Sequence, residues 1–195
     1  GEMPFDSFHR RSAGDGVVVP ALKAGVDVSR LRRIEKDGAA PFLVLRCNGV
    51  RIFCRGGNWG MDDGMKRVSR ERLEPAFRLH REEGFNMVRN WTGESTEELF
   101  YTLCDEYGLL VWNDFWLSTE GYNQNVNDEE LFMANARETV RRFRNHPALA
   151  VWCPRNEGYA TPTLEPRLAA LIAREDGTRF YSPNSRYMNL RTSGP

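Results

Sequence analysis

The sequence has no excess of charge, few histidines and no long apolar run. Its 27 lysines and arginines balance its 27 aspartates and glutamates, so no net field favours nucleic acid or an anionic membrane surface. No stretch approaches the roughly 18 consecutive apolar residues of a membrane span. We therefore expect no nucleic-acid or membrane partner, and a small or neutral ligand instead.

Cysteine is scarce, and its spacing does not suit metal binding. The four cysteines form no Cys-x-x-Cys pair and no combination with the three histidines that would suit zinc. A glycine-rich phosphate loop of the GxGxxG or GxxxxGK type is also missing after the first strand, and Gly56-Gly57 alone is a weak signal. We therefore expect no metal ion and no other cofactor.

The hydrophobic pattern of the sequence changes near residue 40. Residues 1–40 show no sustained periodicity and predict a linker or tail from a preceding domain, which leaves 41–195 as one domain. Two β-like runs, 42–46 and 51–55, are joined across Asn48-Gly49, a pair typical of a tight hairpin.

Helices and strands alternate after this hairpin. The pattern predicts four helices: one from an N-cap at Ser69 to Gly84, one from a Ser95/Glu98 capping box to Gly108, one from an Asn127 cap to about Arg144 and one within 164–174. Each helix is followed by a predicted strand, and these strands cover 85–89, 109–112, 149–153 and 178–182. Parallel strands need such crossovers, so the order indicates an α/β fold.

Polar and aromatic residues recur at the end of each predicted strand. The pairs are Asn58-Trp59, Asn90-Trp91, Asn113-Asp114, Asn156-Glu157 and Asn184-Ser185. In a parallel barrel the carboxyl ends of all strands surround one mouth, where such residues converge. The sequence therefore predicts the amino-terminal portion of a (β/α)8 TIM barrel, about five β/α units, with an unrelated open α/β sheet as the alternative.

Glu157 is the strongest candidate for a catalytic residue. It follows the apolar run of the fourth strand, with Trp152 and Tyr159 nearby, so its carboxyl group is expected to be partly desolvated. Desolvation raises the pKa of a carboxyl group and suits a general acid. The adjacent Asn156 can donate a hydrogen bond to a substrate hydroxyl.

Four other residues near the predicted mouth have two readings each. Trp59 and Trp91 are either core aromatics or flat platforms for a sugar ring. Arg89 ends an apolar strand, where a charge needs a partner, so it is either a structural ion-pair partner or a site residue. Asp114 either caps a loop or belongs to the site.

Several ordered motifs resemble the catalytic domain of glycoside hydrolase family 2, especially its β-mannosidase-like and exo-β-glucosaminidase-like branches. The resemblance covers about residues 26–195 and is carried by residues 55–59 (RGGNW), 84–91 (GFNMVRNW), 104–115 (CDEYGLLVWNDF), 144–149 (RNHPAL), 152–157 (WCPRNE) and 176–179 (DGTR). It implies that Glu157 is the general acid/base and that Asn156 binds the hydroxyl next to the anomeric carbon. Arg89 would support the nucleophile, Trp59 and Trp91 would line the sugar pocket, and Asp114 is expected among the substrate-binding residues.

The resemblance also implies a retaining glycoside hydrolase acting on terminal β-linked sugars (β-mannosides, β-glucosaminides or β-galactosides), with a glycoside or oligosaccharide as substrate. Such enzymes need a second carboxylate about 5 Å from the first. In this family it is a glutamate at the end of strand seven, which five predicted strands do not reach.

We therefore expect this chain to lack its nucleophile and to be inactive alone. The rest of the barrel and the family's β-sandwich domains are expected in a parent protein, and the resemblance favours a periplasmic or secreted setting. The alternative is a non-catalytic carbohydrate-binding or scaffold protein that keeps the half-barrel.

Overall fold

The computed structural model describes residues 6–9, 42–60, 63–117, 126–156, 163–182 and 185. The elements in these ranges are β1 (Asp6–His9), β2 (Phe42–Cys47), β3 (Val50–Ile52), β4 (Gly56–Trp59), α1 (Arg70–Glu82), β5 (Met87–Asn90), α2 (Glu98–Tyr107), β6 (Leu110–Leu117), α3 (Glu129–Phe143), β7 (Leu149–Arg155), α4 (Leu164–Glu175) and β8 (Phe180–Tyr181). Among these ranges, no helix has the length and apolar character that crossing a bilayer requires.

Five strands form one parallel sheet whose spatial order follows the chain, from β4 through β5, β6 and β7 to β8. A helix lies between each strand and the next. Successive parallel strands joined by helical crossovers are the building pattern of a (β/α)8 barrel. The predicted fold class, the amino-terminal portion of such a barrel, is confirmed.

The sheet has a helix side and an inner side, which alternate residues of each strand face. On the helix side, Val88 and Val111 pack in the large apolar core with helix residues such as Phe77 of α1 and Phe100 of α2. On the inner side, Val151 and Phe180 belong to a smaller apolar cluster. Polar residues that project from the inner side near the strand ends are therefore separated from the main core.

The hairpin of β2 and β3 packs against the inner side. Asn48 and Gly49 have φ angles of 51° and 81°, as a two-residue turn of the primed type requires, so the predicted hairpin is confirmed. Leu45 of β2 joins Val151 and Phe180 in the inner cluster. β1 pairs antiparallel with β2, so a strand lies within the segment that the sequence predicted to be a linker or tail.

The predicted limits of α1 are confirmed, whereas two predicted caps are wrong. The Ser69 side chain accepts a hydrogen bond from the Arg72 backbone at the start of α1. Helix α2 has its N-cap at Glu97, because Ser95 is buried and bonded to the sheet. Helix α3 is capped by Asp128, one residue after the predicted Asn127, and the Asp128 side chain accepts from the Leu131 backbone.

Several strands also differ from their predicted extents, and β4 was not predicted as a strand. Asn58 and Trp59 lie within β4 rather than after a strand, because Trp59 pairs with Asn90 of the neighbouring strand. Strand β6 extends to Leu117, five residues past its predicted end at residue 112. Its pairing with β7 becomes irregular between Asp114 and Leu117.

A buried polar network ties the loop after β5 to the sheet. The Asn90 side chain donates to the Ser95 carbonyl (2.8 Å) and to Asn113 Oδ1 (2.8 Å), and it accepts from the Ser95 amide (3.0 Å). The Tyr101 hydroxyl also donates to Asn113 Oδ1, at 2.6 Å. Satisfied buried polar groups of this kind fix one arrangement, since an unpaired partner would be costly.

Gly93 allows this loop to lie directly against β6. Its φ is +73°, and a Cβ atom there would come within 2.5 Å of the Asp114 carbonyl oxygen. Gly108, at the end of α2, has a similar φ of +66°, but a Cβ atom there would meet nothing within 4 Å. The two glycines therefore share a left-handed backbone and differ in available space.

We expect Gly93→Ala to lower the free energy of unfolding by about 3 kcal/mol, combining left-handed strain with a steric clash. Gly108→Ala should cost about 1 kcal/mol, from backbone strain alone. Urea denaturation followed by circular dichroism measures both. Equal losses in the two variants would contradict the close approach at Gly93.

Candidate functional site

An ion pair between Arg89 and Asp114 lies on the inner side near the carboxyl ends of β5 and β6. Arg89 Nη2 is 2.6 Å from Asp114 Oδ2, and Arg89 Nε lies 3.1 and 3.2 Å from the two carboxylate oxygens. The Asp114 side chain is 0% exposed and that of Arg89 is 19% exposed. Because a buried charge needs a partner, this pairing explains how Arg89 can end an apolar strand.

Asp114 is held from other directions as well. The Trp112 indole donates to Asp114 Oδ1 at 3.0 Å. Cys153 of β7 lies beside Asp114 in the sheet, and its thiol donates to the Arg155 carbonyl at 3.1 Å. Burial raises the pKa of Asp114 to about 6, while the charge and hydrogen bonds of Arg89 act in the opposite direction. The pKa of the buried Cys153 thiol is also raised, by desolvation and then by the nearby Asp114.

The same arginine reaches the end of β7. Arg89 Nη2 donates to Asn156 Oδ1 at 2.6 Å. The Ser185 hydroxyl donates to the Asn156 backbone carbonyl and lies 3.3 Å from the same Oδ1. The Asn156 backbone is fixed too, since its amide donates to the Leu117 carbonyl (2.9 Å) and its carbonyl accepts from the Ser185 amide (2.8 Å). Three of the predicted site residues, Arg89, Asp114 and Asn156, therefore form one connected cluster.

The two tryptophans predicted to line a pocket lie in different surroundings. The Trp59 ring packs on the helix side, 4.8 Å from the Phe77 ring and 5.7 Å from that of Phe100, and its indole donates to Ser95 Oγ at 3.1 Å. Trp59 thus faces away from the cluster of Arg89, Asp114 and Asn156. This position agrees with the alternative interpretation of Trp59 as a core aromatic residue. Trp91 is half-buried in the turn directly after β5, and its amide donates to the Trp59 carbonyl.

Glu157 lies outside the described residues, as do Tyr159 and Asn184. Its backbone neighbour Asn156 is the last described residue of that segment and is buried. The predicted acid/base role of Glu157 therefore stays a prediction, and what the structure defines is the position of the residue that precedes it.

The described acids after β7 are all engaged with groups on the helix side or near the helix ends. Glu165 accepts from the Tyr181 hydroxyl at 2.7 Å, Glu175 pairs with Arg141, and Asp176 accepts from the Trp152 indole. Within the described ranges, no three His, Cys, Asp or Glu side chains come together as a metal site would require.

Sequence reasoning did not include Trp112, Cys153 or Ser185 among the site residues. Trp112 and Asp114 lie two positions apart on one strand, and residues at this spacing face the same side of a sheet. This spacing could have identified Trp112 as a neighbour of Asp114 from the sequence. Cys153 lies beside Asp114 only through the β6–β7 register, which a single sequence does not reveal. Ser185 belongs to the last predicted strand-end pair, whose hydrogen bonds the sequence does not show.

A model of one protein family, described as "Glycosyl hydrolases family 2, TIM barrel domain", matches residues 43–187. A mannosylglycoprotein endo-beta-mannosidase of Lilium longiflorum is 39% identical over 137 residues, which are 65% of this chain and 14% of that protein. A beta-mannosidase B of Thermothelomyces thermophilus is 39% identical over 114 residues, 57% of this chain and 13% of that protein. The chain thus spans about a seventh of the length of these curated relatives.

A solved structure has the same fold. The beta-D-mannosidase of Dictyoglomus thermophilum superposes with a TM-score of 0.65 and 32% sequence identity, over 76% of this chain and 20% of that one. The similarity in sequence and the similarity in fold therefore point to the same group of proteins.

The raised pKa of Asp114 predicts a pH dependence of stability. An unfolded aspartate has a pKa of about 3.9, so between about pH 4 and pH 6 the unfolded chain loses this proton while the folded chain keeps it. Stability must then fall as pH rises through this window. We expect the unfolding free energy of the wild type, relative to Asp114→Asn, to fall by about 2 to 3 kcal/mol from pH 4 to pH 6.

Urea denaturation of both proteins at intervals of half a pH unit measures this difference, and groups that titrate equally in both proteins cancel. A wild-type advantage that grows as pH rises would show that the Arg89 charge outweighs burial at this carboxylate.

Proposed function

The chain belongs to glycosyl hydrolase family 2, and we propose that it forms the part of a retaining β-glycosidase active site that carries the general acid/base, Glu157. The remaining strands of the barrel, and with them the nucleophile, are assigned to the rest of a parent protein. The substrate in this proposal is a glycoside or oligosaccharide with a terminal β-linked sugar.

The observation that carries the proposal is the anchoring of Asn156. Arg89, Ser185 and Leu117 fix its side chain and its backbone at the carboxyl end of β7. Asn156 thus has a defined position at the carboxyl end of β7, and in this proposal Glu157, the next residue in the chain, is the catalytic group that it helps to position. Catalytic groups gain most from this kind of pre-organisation, since misplacement by about 1 Å can cost 100-fold in rate.

In the proposed reaction Glu157 acts twice. It first donates its proton to the leaving glycosidic oxygen, while the nucleophilic carboxylate attacks the anomeric carbon and forms a glycosyl-enzyme intermediate. Glu157, now ionised, then takes a proton from the water that hydrolyses this intermediate. Each cycle therefore returns both carboxyl groups to their starting protonation states.

The cluster on the inner side supports this chemistry without titrating in the reaction. Because Asn156 Oδ1 accepts from Arg89, the amide nitrogen is the donor end of the side chain, and in this proposal it donates to a sugar hydroxyl. The Arg89 guanidinium, already paired with Asp114, contributes positive charge close to the site of the nucleophile. Trp91 is proposed as the aromatic wall, and Trp59 is assigned to packing on the helix side.

A β-mannoside is the substrate that the relatives favour. Each of the three proteins described above is named as a mannosidase, and each is at least 32% identical to this chain. β-Glucosaminides and β-galactosides are the proposed alternatives, and a panel of nitrophenyl glycosides separates them.

We expect Glu157→Gln, in a protein that contains the complete barrel, to lower kcat on nitrophenyl β-mannoside by about 100- to 10,000-fold, the range typical of a lost general acid. The loss should be smallest for dinitrophenyl glycosides, whose leaving group needs no proton, while substrate binding stays largely intact. Glu83→Gln, at an exposed position beyond α1, is the matched control and should retain full activity. Undiminished turnover by Glu157→Gln would refute the assignment.

This chain tested by itself should not hydrolyse aryl β-glycosides. Asp114 is fully buried against Arg89, and the described acids after β7 are engaged elsewhere, so none of these carboxylates is placed to trap the anomeric carbon. Release of nitrophenol from the mannoside, glucosaminide, galactoside and glucuronide measures this. Robust hydrolysis would show that the second carboxylate lies within the chain.

A further inference from the structure

A second concave surface lies on the helix side of the sheet, between α3 and the segments that follow β5 and end β6. This groove has a volume of about 690 Å³ and is lined by Thr96, Trp116, Asn135, Glu138, Thr139, Arg141, Arg142 and Phe143. We call it the outer groove. It is large enough for one or two sugar rings, because ligand pockets typically measure about 300–1,000 Å³.

A strand irregularity directs the aromatic residue of the groove. The pairing of β6 with β7 shifts between Asp114 and Leu117, and within this stretch Trp116 packs on the helix side. Its ring meets Phe132 of α3 edge to face, with 5.5 Å between centroids. Trp116 is therefore a fixed, half-exposed indole, and it lies apart from the inner cluster around Asp114.

Three neutral polar side chains of the groove have no hydrogen-bond partner within the described part of the chain. The indoles of Trp59, Trp112 and Trp152 each donate to a protein oxygen. The Trp116 indole has no such acceptor there, and neither the Asn135 amide nor the Thr139 hydroxyl has a hydrogen-bond partner. The groove thus offers an indole donor, a donor–acceptor amide and hydroxyl groups to a ligand.

The arginines of the groove are already paired. Arg141 Nε lies 2.9 Å from Glu175 Oε2, and Arg142 Nε lies 3.2 Å from Glu98 Oε2. Glu138, which also lines the groove, lies 3.6 Å from Arg141 Nη1, so each of these cations has an acidic partner and, among the described residues that line it, the groove carries no unpaired positive charge for an anion. An aromatic ring beside neutral donors and acceptors instead matches a sugar, which has apolar C–H faces and hydroxyl groups that both donate and accept.

We propose that the outer groove binds a neutral hexose unit of a glycan, at a site separate from the mouth of the barrel. Trp116 supplies the ring platform, and the Asn135 amide and the Thr139 hydroxyl bind sugar hydroxyls. This site would hold a non-reacting part of a glycan against the enzyme. It does not depend on Glu157, so it stands or falls independently of the proposed catalysis.

Indole N–H signals can test the proposal on the chain itself. The described tryptophan indoles without a protein acceptor are those of Trp91, at the mouth, and Trp116, in the outer groove. In a ¹⁵N-labelled sample titrated with β-1,4-mannotriose, we expect the Trp116 indole to shift and saturate with a Kd of about 1 mM, as a few exposed contacts allow. Single substitutions of each tryptophan by phenylalanine assign the signals.

Two substitutions test the proposed hydrogen bonds without removing the ring. Thr139→Val keeps the side-chain shape and should weaken mannotriose binding at Trp116 by about fivefold, and Asn135→Ala should have a similar effect, as expected for one lost hydrogen bond. Leu131→Ala, at an exposed position of α3 that does not line the groove, should leave the Kd unchanged.

Several results would overturn the proposal. A Trp116 indole that does not shift with mannotriose rules out the outer groove, and a shift of Trp91 alone places sugar binding at the mouth only. A Trp116 shift produced by inorganic phosphate but not by mannotriose identifies an anion site instead. Equal affinity in wild type, Thr139→Val and Asn135→Ala would show that the proposed hydrogen bonds do not form.

Discussion

The ion pair between Arg89 and Asp114 connects three neighbouring strands towards their carboxyl ends. Arg89 lies on β5 and Asp114 on β6, and the same guanidinium reaches Asn156 just beyond β7. A charge in an apolar interior is tolerated only when its hydrogen bonds are satisfied. Removing either Arg89 or Asp114 would therefore leave the other buried charge without its partner, at a large cost in desolvation free energy. The pair therefore fixes the relative positions of these strand ends.

This arrangement has different consequences for the two sides of the sheet. On the helix side, Asn90 and Asn113 form a neutral network with Tyr101 and anchor the loop after β5. On the inner side, the charged pair organises the residues that face the mouth. Neighbouring positions on each strand thus belong to two separate polar systems, one that stabilises the barrel wall and one that positions the candidate site.

The alternation of strands and helices, the hairpin at Asn48-Gly49 and the parallel order could be predicted, because turn chemistry and periodicity are local properties of the sequence. Arg89 could be recognised as a charge in need of a partner, but its partner depends on strand register. Ser95 has the spacing of a helix cap, yet it is buried beside Asn90, where tertiary hydrogen bonds outweigh the local preference. Trp59 is separated from Arg89 by strand alternation, a distinction that required the extent of β4.

The hairpin of β2 and β3 also has a consequence for access. Leu45 and Ile52 pack with Met87, Leu110 and Phe180, residues at the amino-terminal beginnings of their strands. In the described part of the chain they cover the amino-terminal end of the inner side, opposite the end of the sheet that carries Arg89 and Asn156. The amino-terminal end of the inner side is therefore closed to a ligand of Asn156, which leaves the carboxyl ends of the strands as the route along the barrel axis.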